Sequence, residues 1–231
     1  MRPTHLLPVS CRDRLRRSTR PDHAAAHSKA FDPAYAAVIE SLDASVGKLL
    51  ACLRSLGLHD NTLVIFTSDN GGLHVPELQH ARVTHSGPFR AGKGFLYEGG
   101  LRIPLIVRWP GHVPAGRVVH TPVINTDWMP TLLDCAQVPT TAKPPTDGVS
   151  LARLLVDSGS LPRRPLFWHF PHYTNQGGRP GGAVRDGRWK LIEFYDTGTS
   201  ELYDLETDSG EKNSVVDRFP RRVRSLAKTL A

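Results

Sequence analysis

"TLVIFTSDNGG", residues 62–72, decides the fold. Its first seven residues are a short apolar run rich in β-formers, preceded by the turn signal "HDN", and they read as a buried strand. The run ends on Asp69 and Asn70, an acid and an amide. Both offer hard oxygen ligands of the kind that calcium or magnesium takes. In open α/β sheets, ligands bind beyond the carboxyl ends of strands, which is where this pair stands. Gly71 and Gly72 then let the backbone turn away from a crowded site. An Asx turn in ordinary loop chemistry is the competing reading of the same residues.

Upstream, "FDPAYAAVIESLDASVGKLLACLRSLG" (31–57) carries the helical period. Asp32 suits the N-cap and Pro33 the first helical position. Apolar residues recur at Tyr35, Val38, Ile39, Leu42, Val46, Leu49, Leu50, Leu53 and Leu56, and Gly57 stands where a C′ glycine ends a helix. Helix, tight turn and buried strand are the grammar of an α/β sheet. Downstream, "PLIVRWPG" (104–111) reads as a second buried strand and "NTDWMPTLLDCAQV" (125–138) as a capped helix. "PTTAKPPTDG" (139–148) is a turn-rich linker. Beyond it "LFWHF", "GAVRDGRWKLIEFY" and "TSELYDLETD" read as antiparallel strands, with "RDG" as a turn and "DRFPRRVRSLAKTLA" as a terminal helix. The division expected is a basic segment over 1–28, an α/β part over 29–150 and an antiparallel sheet with a helix over 151–231.

The formal charge of +7 does not describe a nucleic-acid-binding face. Residues 1–20 hold six arginines and one acid, leaving 23 basic against 21 acidic residues in the rest of the chain. The excess therefore marks a basic tail, and no nucleic-acid partner is expected. Cys11, Cys52 and Cys135 are far apart and in no metal-ligand spacing. No run approaches the roughly 18–20 apolar residues of a membrane span, so none is expected. The first residues lack the apolar core of a signal peptide.

In "GPFRAGKGFLYEGGLRIPLIVRWPG" (87–111), Lys93 lies between two glycines, where a lysine can approach an anion as an unhindered point charge. An exposed lysine in a flexible loop is the plain alternative. This segment, preceded by "TLVIFTSDNGG" and followed in order by "TPVINTDWMPTLLD", "DGVSL", "AVRDGRWKLIEF" and "ELYDLETD", resembles the C-terminal half of a formylglycine-dependent sulfatase of the alkaline-phosphatase superfamily. The resemblance covers about residues 30 to 217. It implies an α/β fold: the later part of a mixed sheet with flanking helices, plus a small C-terminal antiparallel-sheet subdomain.

By that resemblance Asp69 and Asn70 match calcium ligands, and Lys93 matches the catalytic lysine that contacts the sulfate. Glu98, Gly99, Gly100 and Arg102 match a loop signature taken as structural. The implied reaction is hydrolysis of sulfate monoesters, on a sulfated carbohydrate or an aryl sulfate, with Ca2+ and formylglycine in the complete enzyme. The implied location is periplasmic or secreted if the true N-terminus lies further upstream. None of the three cysteines has Pro at +2 and Arg at +4, the pattern that formylglycine formation needs. Ser160, Pro162 and Arg164 of "SLPRR" keep the serine version of that spacing but lie beyond the linker and lack the Thr-Gly that follows it in the family.

The expectation is thus a truncated form, with a second chain supplying the missing half as one implied partner. Two other readings remain open: a non-catalytic, anion-binding or partner-dependent fragment, and a phosphate or phosphonate ester hydrolase of the same superfamily. His169 and His172, with Arg179 and Arg185, offer donors to a sulfated sugar, or else pack at a strand edge. Trp189 and Tyr203 are expected in the core.

Overall fold

A computed structural model describes residues 33–76, 84–139, 141, 144–156 and 159–231. The N-cap at Asp32 and the basic segment lie outside these residues. In chain order the elements are α1 (Pro33–Ser55), β1 (Val64–Thr67), α2 (Glu98–Leu101), β2 (Leu105–Arg108), α3 (Trp128–Cys135), α4 (Ala152–Val156), β3 (Leu166–Phe170), β4 (Gly181–Asp186), β5 (Trp189–Phe194), β6 (Thr199–Asp204) and α5 (Pro220–Leu230).

The C-terminal half folds as read. Strands β3–β4–β5–β6 form one antiparallel sheet in sequence order. Gly187 turns the chain between β4 and β5 at φ +61°, a conformation that glycine adopts without steric cost. Alternation along the strands gives the sheet two buried faces. Ala183, Ile192, Phe194 and Tyr203 pack with Leu96 and Tyr97 on one side. Val184, Leu191 and Leu202 pack with Leu226 of α5 on the other, flanked by Val223, Ala227 and Leu230. Those helical residues recur at the three- and four-residue steps that place them on one face. Tyr203 is buried and Trp189 packs beside the second cluster, so neither is a free platform.

The first face also buries charge. Lys190 has no exposure, and its Nζ lies 3.1 Å from Glu98 Oε1 and 2.8 Å from Glu211 Oε1. Arg185, paired with Lys190 in the register of β4 and β5, reaches Glu98 at 3.6 Å. Glu211 Oε2 accepts the backbone N–H of Glu98 at 2.5 Å. Burial pushes the Glu211 carboxyl above its usual range, against the pull of the Lys190 ammonium. This cluster clamps α2 onto the C-terminal sheet.

A second buried anchor joins the stretch after the linker to α3. Asp127, fully buried, accepts the N–H groups of Ile124 and Val149, each at 3.0 Å, and forms an ion pair with Arg164. Thr131 Oγ1 accepts from the N–H of Leu151 at 2.8 Å. Arg164 of "SLPRR" therefore has a structural partner.

The N-terminal half departs from expectation in burial. Helix α1 forms and ends as read, with Gly57 at φ +68°. Within its apolar stripe, however, Leu50 is the one buried residue among those described, while Val38 and Leu49 are about 60% exposed (61% and 60%). Strands β1 and β2 pair with each other, antiparallel, in a two-stranded sheet. Neither is buried: Thr67, Leu105 and Ile106 are exposed and the remaining positions are half-buried. With two strands, this composition is only partly covered by the described residues.

Lys190→Ala leaves two carboxylates facing each other in the core. We expect a loss of about 3–5 kcal/mol, the range for breaking one side of a buried pair. Urea unfolding measures it, and a loss under about 1 kcal/mol would show that the cluster is not a clamp.

Candidate functional site

The loop after β1 and the loop around Lys93 are joined backbone to backbone. Gly71 donates its N–H to Gly100 C=O at 2.9 Å, and Lys93 donates to Gly72 C=O at 3.0 Å. Gly99 donates to Arg90 C=O at 2.9 Å. The glycines are needed for this approach. A Cβ on Gly71 would lie 1.8 Å from the Gly99 oxygen, and one on Gly92 would lie 2.2 Å from the Gly72 oxygen. Gly71 and Gly72 are not in the left-handed region. Their role is close packing, which corrects the expectation that they serve a sharp turn.

These contacts bring together the stretches that carry Asp69, Asn70 and Lys93. Asp69 is exposed, and its Oδ1 accepts the N–H of Asn70 at 2.9 Å and lies 3.5 Å from Ser68 Oγ. Ser68 Oγ in turn donates to Asn70 C=O at 2.9 Å. The Asp69 bond goes to the next N–H and not to the one two residues on, where an Asx turn would place it, since Gly71 N–H is taken by Gly100 C=O; the oxygen donors stand together in one bend. Lys93 is exposed, on a loop whose backbone is fixed. His74, which the sequence reading passed over, stands beside Gly92 and meets Phe95 edge-on with ring centroids 5.1 Å apart. Among the described residues, no group of three or more His, Cys, Asp or Glu is arranged to hold a metal ion. Asp69 and Asn70 are two donors where calcium takes about 6–8. The residues described here do not complete such a shell.

The C-terminal region reaches this corner. The turn after β3 packs on Gly94: a Cβ on Gly178 would lie 1.7 Å from the Gly94 oxygen, and one on Gly94 would lie 2.8 Å from Thr174 Oγ1. Thr174 and Gln176 therefore border the residue next to Lys93, a neighbourhood that no local pattern announces. The histidines and arginines singled out from sequence divide by partner. Arg179 is held by Asp196, with contacts of 3.0 and 2.7 Å, and lies over the Phe194 ring. Its hydrogen bonds hold the Asp196 carboxyl below the usual range. Arg185 faces Glu98. His169 Nδ1 meets Tyr195 OH at 3.1 Å. His172 packs edge-on against Phe170.

Comparison with known proteins assigns the family. The sulfatase family profile matches residues 4–138, and that of the N-sulphoglucosamine sulphohydrolase C-terminal region matches residues 89–230. The chain belongs to the sulfatase family. It is 34% identical over 215 residues to a sulfatase of Formosa agariphila, covering 83% of this chain and 38% of that one. It is 37% identical over 198 residues to human arylsulfatase A, covering 76% and 37%. Among solved structures it is similar to Ps i-CgsB in complex with k-i-k-neocarrahexaose (TM-score 0.71, 28% identity, covering 84% of this chain and 41% of that one). It is also similar to BT4656 in complex with D-glucosamine-2-N,6-O-disulfate (TM-score 0.69, 30% identity, 85% and 38%). The chain spans about two fifths of the length of these relatives. The sulfatase profile begins at residue 4, further toward the N-terminus than the resemblance read from motifs.

Gly71→Ala tests the backbone junction. Its Cβ would overlap a carbonyl oxygen, so a loss above about 2 kcal/mol in urea unfolding is expected. Gly116→Ala is the control: it is left-handed, with open space around it, and should cost about 1–2 kcal/mol from φ alone. Equal losses would remove the close-packing account.

Proposed function

We propose that this chain is the part of a sulfatase that carries the sulfate-facing lysine and one pair of calcium donors. The whole enzyme then hydrolyses sulfate monoesters of carbohydrates or aryl alcohols. The observation that carries this reading is the hydrogen bond from Lys93 N–H to Gly72 C=O, which fixes the lysine loop beside the Asp69–Asn70 turn. A cation held beside a metal corner is suited to a sulfate group whose oxygens gain charge during transfer. When bound, calcium would supply Lewis-acid stabilisation of that charge, with Asp69 and Asn70 as two of its ligands. Formylglycine belongs to the complete enzyme, and no residue of this chain is assigned to it.

A partner-dependent fragment is the second reading, and the exposed faces of α1 and β2 favour it. A groove of about 1000 Å³ adjoins β2, lined in part by Val107, Trp109, Val119, Trp128, Leu155 and Leu166. A segment or second chain carrying the remaining sheet would cover these surfaces. At about 25 cal/mol per Å² of apolar area, such covering decides stability in a protein held by roughly 5–15 kcal/mol.

The test is release of 4-nitrophenol from its sulfate ester with calcium present. The chain alone is expected to give none. Combined with a formylglycine-bearing upstream sulfatase half, it is expected to turn over, with Lys93→Ala lowering turnover by about 100-fold or more while the melting transition stays in place. Asp69→Ala should weaken calcium binding in calorimetry on the folded complex. Unchanged calcium affinity would remove the metal role, and phosphate release exceeding sulfate release would reassign the chemistry within the superfamily.

A further inference from the structure

Helix α5 breaks two rules of helix electrostatics at once. From Arg218 to the end of the chain there are five cations (Arg218, Arg221, Arg222, Arg224 and Lys228) and no acidic side chain. Its first turn has no acid and holds Arg221 and Arg222, where the helix dipole disfavours positive charge. Arg221–Arg224 and Arg224–Lys228 are like charges three and four residues apart, each pair costing a few tenths of a kcal/mol. Among the described residues, none of the five has a carboxylate within 4.0 Å. A sequence that breaks local rules without a local gain points to a function at that place.

The geometry shows what that function can be. Val223, Leu226, Ala227 and Leu230 face the sheet, which sends Arg221, Arg224 and Lys228 to the opposite, exposed side in a row about 10 Å long. Because the apolar face is already packed, the helix cannot lie in a membrane interface. The nearby rings are engaged with one another and with cations: Trp189 and Phe219 meet at 5.0 Å, with Arg222 over Trp189 and Arg218 over Phe219, both at 5.7 Å. A row of exposed cations with no ion-pair partner among the described residues fits a polyanion read by charge.

We infer that the outer face of α5 is a docking surface for a polysulfated glycan chain, separate from the Lys93 corner. The sheet lies between them, with Leu96 and Tyr97 against one face and α5 against the other. The surface holds a long sulfated substrate while one of its esters is presented elsewhere. The choice of a sulfated glycan over other polyanions rests on the proposed sulfatase function.

The experiment is salt elution of the full 231-residue chain from immobilised heparin, paired with a solution titration using a heparin octasaccharide. The triple variant Arg221→Gln, Arg224→Gln, Lys228→Gln should bind at least about 10-fold more weakly, with the log–log salt slope reduced by about 3, one counterion per lost cation. Its melting temperature should hold or rise, since glutamine is a good helix former and the repulsion is gone. A second variant, Arg12→Gln, Arg14→Gln, Arg16→Gln, Arg17→Gln, should stay within about threefold of the parent chain, which separates the helix from the basic tail. The proposal is overturned if the chain fails to bind heparin at 0.15 M salt (a condition of the assay, about physiological). It is also overturned if the helix variant keeps its affinity, or if the tail variant alone loses binding. Single-stranded DNA binding as tightly as the octasaccharide at equal salt would make the surface a nucleic-acid site instead. None of these outcomes bears on turnover of a small aryl sulfate, so the surface and the sulfatase reading can fail separately.

Discussion

Lys190 has no contact with water, and the rest of the molecule is arranged around that fact. A buried ammonium costs several kcal/mol of desolvation unless carboxylates surround it closely. Glu98 and Glu211 do so, from 92 residues before it and 21 residues after it, and Arg185 balances the second negative charge. The N–H of Glu98 is held by Glu211, so α2 is fixed at its first residue. Gly99 and Gly100, the next two residues, are the ones against which Gly71 and the Arg90–Gly92 stretch pack. The path from a β5 lysine to the candidate site is therefore a short run of direct contacts: ion pair, helix start, glycine junction, and the Asp69 and Lys93 loops.

Much of this fold was legible in the sequence. The period of α1, its closing glycine, the Gly187 turn, the four C-terminal strands and α5 all follow from local chemistry, and all are present. Lys190 was not legible. In "WKLIEF" it reads as a polar residue facing water, and only carboxylates brought in by tertiary structure reverse that. The burial of β1 and β2 was misread for the opposite reason. Their apolar composition matches a strand covered on both sides, while the described residues leave them half-buried or exposed. Asp69, Asn70 and Lys93 stand out in the sequence because their residue types carry chemistry in themselves. Thr174 and Gln176 carry no such mark, and only the packing of Gly178 on Gly94 places them near the lysine.

The sulfatase family of the chain and the small number of oxygen donors in its candidate site stand side by side. The residues described supply a C-terminal sheet with two buried faces and a candidate site of two hard donors and one cation. Their exposed apolar faces are those to which a further layer would attach. The architecture separates a well-buried core, Leu191, Ile192, Leu202 and Tyr203 with no more than 1% exposure, from an N-terminal part whose apolar residues are half-buried or exposed among the described residues.

The central claim is that the buried charge cluster, through α2, orders the two loops that carry Asp69 and Lys93. Amide hydrogen exchange in Glu211→Gln tests it most directly. The variant keeps the side-chain volume and removes the charge. The account predicts that the amides of Glu98, Gly71 and Lys93 exchange at least about 10-fold faster together, while those of β5 keep their protection. Unchanged protection at Gly71 and Lys93, with Glu98 alone released, would contradict it.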